Sequence, residues 1–252
     1  MIDFHSHILP GLDDGIANIE DSIKALAEAK QAGFDTIVAT THYSIPDEFV
    51  VEEKRRIELL KELQSKVSDI KIVLGNEIFV NGGIDELIKN KKASTINNTQ
   101  YILFELPLVN EYFETKNTVL NLMAKGYRII LAHPERYVTM QKNPKQLEEL
   151  IDMGIYLQAN FLSILGFYGK EAKKTVELLF KHNMISLIGT DIHRKEKYYP
   201  KVEDAKEQIV SIIGQAEFEE ISETNPKKIL ENERIDTAEY TQIKKTFLGK
   251  FK

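Results

Sequence analysis

The sequence predicts a parallel α/β fold, and three observations carry that prediction. Short β-branched runs alternate with amphipathic helical patterns along most of the chain, and strands separated by helices pair in parallel. The 252 residues match a (β/α) barrel, which uses about 250 as one domain. No Gly/Ser or Pro linker divides two composition regimes, and no fixed-period repeat exists beyond the strand and helix rhythm, so residues 1–252 read as a single domain.

The first strand runs from Ile2 to His5. A helix follows over Asn18 to Ala32, where Ile19, Ile23, Leu26 and Ala27 recur at helical spacing and Gly33 supplies the stop. The second strand, Thr36 to Thr41, precedes a strongly charged helix over 48–66 whose inner face is Ile57, Leu60 and Leu63. Ile72 to Glu77 and Tyr101 to Glu105 are the third and fourth strands, the latter followed by a helix over 112–125. After the fifth strand, Arg128 to Ala132, Pro144 opens a helix that Gly154 closes. Ile155 to Ala159 and Ile185 to Thr190 complete the set, with helices over 170–182 and 201–213. Beyond Pro226 the chain is rich in Lys and Glu. Ile243, Phe247, Leu248 and Phe251 lie among the lysines from Lys244 onward, so 233–252 is expected to be a docked amphipathic C-terminal helix or tail.

Composition excludes several classes. Apolar residues at 42% and charged residues at 29% fit a globular chain with a sizeable core. With 33 Lys+Arg against 39 Asp+Glu, the net charge of −6 offers no field for nucleic acid, and no basic stripe with interleaved aromatics is present. No apolar run approaches the ~20 residues of a membrane span, and the N-terminus lacks the basic and apolar regions of a signal peptide. A cytoplasmic location is expected. Zero Cys removes disulfides, thiolate nucleophiles and Cys-ligated zinc together, leaving any metal to His and carboxylates.

The chemistry gathers at the strand ends. In His5-Ser6-His7, residues i and i+2 of an extended segment point to one side, so two imidazoles can meet one cation. His42 ends the second strand, Glu77 the third and Glu105 the fourth; His133 follows the fifth, and Asp191 and His193 follow the seventh. Five of six His therefore sit at C-terminal strand ends, which converge on the active face of a parallel barrel. Asp13 and Asp14 lie in the loop after the His pair, where one suits a turn or helix-entry cap and the other stays available. His182 lies at the opposite end and reads as a surface or structural residue. His5, His7, Asp14, His42, Glu77, Glu105, His133, Asp191 and His193 are too many ligands for one divalent ion and about right for two or three. Glu77 or Asp191 can bridge ions ~3.5 to 4 Å apart. Sulfur-free imidazole and carboxylate donors suit Mn²⁺, Fe²⁺ or Zn²⁺, and the reaction class they imply is metal-assisted hydrolysis.

These segments, with Asp13-Asp14-Gly15, Thr41-His42-Tyr43, Gly75-Asn76-Glu77-Ile78, Phe104-Glu105-Leu106-Pro107, Ala132-His133-Pro134-Glu135-Arg136 and Thr190-Asp191-Ile192-His193, resemble the polymerase-and-histidinol-phosphatase (PHP) superfamily. More narrowly they resemble its Gram-positive protein-tyrosine phosphatases of capsule and exopolysaccharide loci, in order over residues 1 to about 232. The resemblance implies a distorted (β/α)7 barrel with a trinuclear, manganese-dependent centre. It also implies a substrate, the tyrosine-rich tail of a cognate bacterial tyrosine autokinase. By the same resemblance His5, His7, Glu77 and Asp191 hold a first metal, Glu77, Glu105 and His133 a second, and Asp14, His42 and His193 a third. Many relatives in the wider superfamily, histidinol phosphatases included, have His where Glu105 stands, and often where Asp14 stands, so both carboxylates favour the tyrosine-phosphatase branch. Arg136 matches a family arginine that holds the substrate phosphate. A second family arginine, several residues beyond the last His, has Arg194 as its substitute here. Tyr198 and Tyr199 are expected to be exposed loop aromatics. The alternative activity is that of a small-molecule phosphatase such as histidinol phosphatase, whose substrate needs a closed pocket where a flexible phosphotyrosine tail needs an open one.

Overall fold

The computed structural model describes residues 1–79, 83–106, 116–193, 198–237, 239–245 and 251. Its strands are β1 (Ile2–Ser6), β2 (Thr36–Ala39), β3 (His42–Tyr43), β4 (Lys71–Leu74), β5 (Glu77–Phe79), β6 (Tyr101–Glu105), β7 (Arg128–Ala132), β8 (Tyr156–Asn160) and β9 (Leu187–Gly189). All pair in parallel, in the orders β1-β2-β4 and β3-β5-β6-β7-β8-β9. Only residues 40–41 separate β2 from β3, and only 75–76 separate β4 from β5, so each pair is one interrupted stave. Seven staves result, as the sequence predicts. Backbone bonds from Asp191 N to His5 O (2.7 Å) and from His7 N to Ile192 O (3.1 Å) join the last stave to the first, making a distorted parallel barrel.

Helices α1 (Ile19–Gln31), α2 (Glu53–Lys66), α3 (Ile84–Lys89), α4 (Lys116–Ala124), α5 (Val138–Lys142), α6 (Gln146–Asp152), α7 (Lys170–Lys181), α8 (Val202–Ile213), α9 (Gln215–Glu219) and α10 (Asn225–Leu230) follow the strands. Asn18 caps α1 by accepting the Asp21 N–H (3.0 Å), and the helix buries Ala25, Leu26 and Ala29 against the sheet. The helix expected from residue 48 begins only at Glu53. Ser44 and Phe49 exchange two backbone bonds of 2.9 Å around a tight turn that puts Glu48 at φ 60°, which a helix cannot accommodate. Of the helix expected over 112–125, residues 112–115 lie outside the described residues. The described tail residues 231–237 and 239–245 contain no helix. They spend their backbone groups on the body instead: Thr241 N donates to His182 O (2.9 Å) and Ile243 N to Glu148 Oε1 (2.5 Å).

Alternation along the strands separates two apolar layers. Outward residues such as Ile102, Phe104, Ile129, Leu131, Leu157 and Ile188 pack with the helices, while Ile2, Phe4, Val38, Val73, Tyr101, Leu103, Ile130, Tyr156 and Leu187 fill the lower barrel. The inward rows then change character along their length: Tyr101-Leu103-Glu105, Tyr156-Gln158-Asn160, Leu187-Gly189-Asp191. Each is apolar or aromatic at the N-terminal end and polar at the C-terminal rim. In β1 the register shifts between Asp3 and Ser6, a bulge after which His5 and His7 both face the site above Phe4.

Candidate metal centre

Register assembles the rim before any side chain is considered. His42 pairs with Glu77 and Phe79 with Glu105, so the second, third and fourth staves bring an imidazole and two carboxylates side by side. His133 (φ 35°) and Asp191 (φ 54°) leave their strands in the left-handed region, an uncommon conformation for residues other than glycine. Gly189 and Gly15 make room. A Cβ on Gly189 would lie 2.6 Å from His5 Cβ, and one on Gly15 would lie 2.5 Å from His7 Cβ and 2.6 Å from the His7 carbonyl.

Three groups of donor atoms converge, each within 4.8 Å of one another: His5, His7, Glu77, Asp191; His7, Asp14, His42, His193; and His42, Glu77, Glu105. Glu77 Oε2 lies 3.2 Å from His5 Nε2, 3.3 Å from His7 Nε2 and 3.2 Å from His42 Nδ1. Asp191 Oδ1 lies 3.4 Å from His5 Nε2, 3.4 Å from His7 Nε2 and 3.3 Å from His193 Nδ1. Asp14 Oδ1 faces His42 Nε2 and His193 Nε2, both at 3.4 Å. Despite this crowding, Glu77 Oε2, Asp191 Oδ1, His42 Nδ1 and His133 Nδ1 are buried without a hydrogen-bond partner. Imidazole nitrogens converging on the unpaired oxygens Glu77 Oε2 and Asp191 Oδ1 are what a divalent cation needs, so this donor set fits one.

The electrostatics agree. Burial alone would raise the Glu77 and Asp191 carboxyls, yet the surrounding imidazoles hold both well below the usual carboxylate range. Burial works to lower His42, but Glu77 and Glu105 raise it to about 9, overcoming both that burial and the repulsion of His7. Protonated His42 spans three carboxylates, with Nδ1 3.2 Å from Glu77 and Glu105 on one side and Nε2 3.4 Å from Asp14 on the other. Once neutral it has one lone pair and serves one side only.

Of the residues expected from sequence, eight of the nine carboxylates and imidazoles fall in these groups. His133 stands beside them, its Nε2 2.8 Å from Glu77 Oε1. Arg136, in the short 3₁₀ turn Pro134–Arg136, reaches back so that Nη1 donates to Asp191 Oδ2 (2.6 Å), and its guanidinium lies over the Tyr168 ring, 4.7 Å from the centroid. It is 25% exposed and lines a cleft of about 260 Å³ together with Asp14, His42, Phe49, Glu77, Glu105, His133 and His193. Arg194 lies outside the described residues. Tyr198 and Tyr199 are not exposed: both are buried, and Tyr199 donates its hydroxyl to buried Asp3 (2.8 Å), a partner from the first strand that local sequence could not reveal.

Sequence reasoning missed the groups that orient the candidate ligands. Asp13 does fill the turn, accepting Gly15 N (3.0 Å), but its Oδ2 also lies 2.8 Å from His7 Nδ1 and accepts His42 N (2.9 Å). Gln158 Oε1 plays the same part for His5 Nδ1 (2.8 Å). The doubled Asp13-Asp14 was the available signal for the first; Gln158 left none.

A parallel barrel with nine imidazoles and carboxylates at or beside its C-terminal rim belongs to the metallohydrolase class in fold and site. The family model described as capsular polysaccharide synthesis, CpsB/CapC, matches residues 1–231, and the chain belongs to that family. It is 30% identical over 246 residues to the tyrosine-protein phosphatase CpsB of Streptococcus pneumoniae, covering 93% of this chain and 100% of the relative. Against the tyrosine-protein phosphatase YwqE of Bacillus subtilis it is 31% identical over 196 residues, 77% of each chain. The fold matches one from the crystal structures of YwqE from Bacillus subtilis and CpsB from Streptococcus pneumoniae, described as metal-dependent tyrosine phosphatases. The TM-score is 0.86 at 28% identity, over 97% of this chain and 100% of that one. The sequence resemblance to the tyrosine-phosphatase branch is thereby borne out.

Proposed function

We propose that the protein is a metal-dependent protein-tyrosine phosphatase of capsular polysaccharide synthesis, acting in the cytoplasm on the tyrosine-rich tail of a bacterial tyrosine autokinase. The observation that carries this reading is the pair of buried, unpaired carboxylate oxygens, Glu77 Oε2 and Asp191 Oδ1, ringed by imidazole nitrogens and facing one cleft beside Arg136. His5, His7, Glu77 and Asp191 would hold one ion and Asp14, His42 and His193 another. With His42 committed there through its single lone pair, the position between Glu77 and Glu105 falls to His133. Oxygen and imidazole donors without sulfur favour Mn²⁺, with Fe²⁺ and Zn²⁺ as the other ions this set accepts.

When bound, the ions supply activated water and neutralise charge on the transferring phosphoryl group. The chain's own residues do the rest. Asp13 and Gln158 hold the proton on Nδ1 of His7 and His5, so that Nε2 of each points inward as a ligand. Arg136 offers a fixed fork of donors at the open side of the cleft, where a phosphate oxygen directed away from the ions would lie. Its bond to Asp191 Oδ2 keeps it aimed at the site. No cysteine exists to supply a thiolate nucleophile for a phosphoenzyme.

Turnover of a phosphotyrosyl peptide and of histidinol phosphate, measured after chelation and re-addition of Mn²⁺, Fe²⁺ or Zn²⁺, tests the reading. The peptide should be hydrolysed far faster than histidinol phosphate; the reverse preference would assign the small-molecule activity.

A further inference from the structure

The sixth stave differs from the others: its rim carries no imidazole or carboxylate. Above Tyr156, β8 turns Gln158 and Asn160 inward, both fully buried. Two buried amides beside charged ligands have to match donors to acceptors without help from solvent. Asp191 Oδ2, a carboxylate oxygen, can only accept, and it receives Asn160 Nδ2 (2.8 Å) as well as Arg136 Nη1 (2.6 Å). Asn160 must then turn Oδ1 to Gln158, whose Nε2 donates to it (3.1 Å) and to the Ala159 carbonyl (2.7 Å). Gln158 Oε1 is left to accept from His5 Nδ1 (2.8 Å), which frees the His5 Nε2 lone pair toward His7 and Glu77, both at 3.2 Å.

We infer that Gln158 and Asn160 are positioning residues, a one-way relay of amides that sets the His5 tautomer, reserves Asp191 Oδ1 for a cation, and ties that cation position to Arg136. The inference rests on the metal-centre part of the proposed function. Its content lies in the direction of the bonds. A carboxylate at position 158 would still accept from His5, as Asp13 accepts from His7. It would also draw the Asn160 amino group toward itself, leaving Asn160 Oδ1 opposed to Asp191 Oδ2. A local support of His5 would be unharmed by that change; a directional relay would be reversed.

The test compares wild type, Gln158→Glu and Asn160→Asp by Mn²⁺ titration of chelated protein and by the affinity of the Mn²⁺-saturated protein for inorganic phosphate. Both variants should bind Mn²⁺ about ten- to a hundredfold more weakly, the usual cost of disturbing a ligand's hydrogen-bond partner, and phosphate more weakly as well. Gln158→Glu binding both probes as tightly as wild type would overturn the relay. Metal loss with unchanged phosphate affinity would overturn the tie to Arg136. Should either variant fail to fold, histidine ¹⁵N spectra of the Zn²⁺-loaded wild type still test the relay, which requires His5 to be protonated on Nδ1: protonation on Nε2 refutes it. Neither probe depends on substrate identity, so failure to cleave phosphotyrosine would count against the proposed function alone.

Discussion

The two ends of the barrel treat buried polar groups in opposite ways. At the N-terminal end, Tyr101 and Tyr156 start their strands deep in the apolar layer, and each hydroxyl donates to a carbonyl of the returning chain, Glu233 O at 2.7 Å and Ile235 O at 2.8 Å. His182, at the same end, meets Thr241 O at 2.8 Å. At the C-terminal rim the accounting fails. Of the eight buried side-chain atoms left without a partner among the described residues, four belong to Glu77, Asp191, His42 and His133, and two more, Glu135 Oε2 and Tyr168 OH, flank Arg136. Only Glu28 Oε2 and Arg56 Nε lie elsewhere. One end is finished by folding and the other keeps donor atoms unpaired, although an unpaired buried polar group costs about 1 to 3 kcal/mol.

The largest effects should come from substitutions at the unfinished end. Asp191→Ala or His133→Ala should lower kcat on a phosphotyrosyl peptide by several orders of magnitude, while His182→Ala at the finished end leaves it nearly unchanged. Equal losses at all three would erase the distinction. Arg136→Ala should follow, with a loss of about 2 to 4 kcal/mol of transition-state stabilisation, roughly thirty- to a thousandfold in kcat/KM. Arg136→Lys should recover part of it, since charge returns without the fork.

Smaller effects sharpen the contrast. Gly15→Ala drives a methyl into the backbone and Cβ of His7, and should cost about 1 to 3 kcal/mol by overpacking while reducing Mn²⁺ affinity. Thermal melts of chelated protein across pH report the raised pKa values of the buried imidazoles His5, His7 and His42 together. A group raised on folding gives its full stabilisation below its unfolded value of ~6.5 and loses it as pH climbs through the folded value, about 9 for His42. Chelated protein should therefore lose melting temperature across that window. Mn²⁺ should restore progressively more of it as pH rises, because it binds the deprotonated ring. Tyr156→Phe, at the finished end, should remove ~1 kcal/mol of stability without changing kcat.

Much of this division was legible in the sequence. Strand runs that end in His or carboxylate, stave after stave, announce a barrel with a charged rim, and alternation in Tyr101-Leu103-Glu105 shows the apolar layer beneath it. The interruptions at 40–41 and 75–76 were not legible, because the bonds that open them come from afar: Thr40 Oγ1 accepts Ser6 N (3.0 Å), and buried Arg56 of α2 donates to Gly75 O (3.0 Å). Helices α3, α5, α9 and α10 are too short to show a period. Asp13 and Gln158 escaped for a different reason. Residue type and position report that a side chain can be a ligand, whereas the partner that orients it is fixed only by the closed barrel.

The central claim, that the unpaired carboxylate oxygens of the rim, Glu77 Oε2 and Asp191 Oδ1, are cation ligands together with the imidazoles around them, is tested most directly by anomalous diffraction from crystals of the Mn²⁺-loaded protein. Peaks should lie between His5, His7, Glu77 and Asp191 and at the neighbouring groups of the same cleft, with none at the Tyr101 and Tyr156 end. Mn²⁺ bound elsewhere with these atoms still bare would contradict the account.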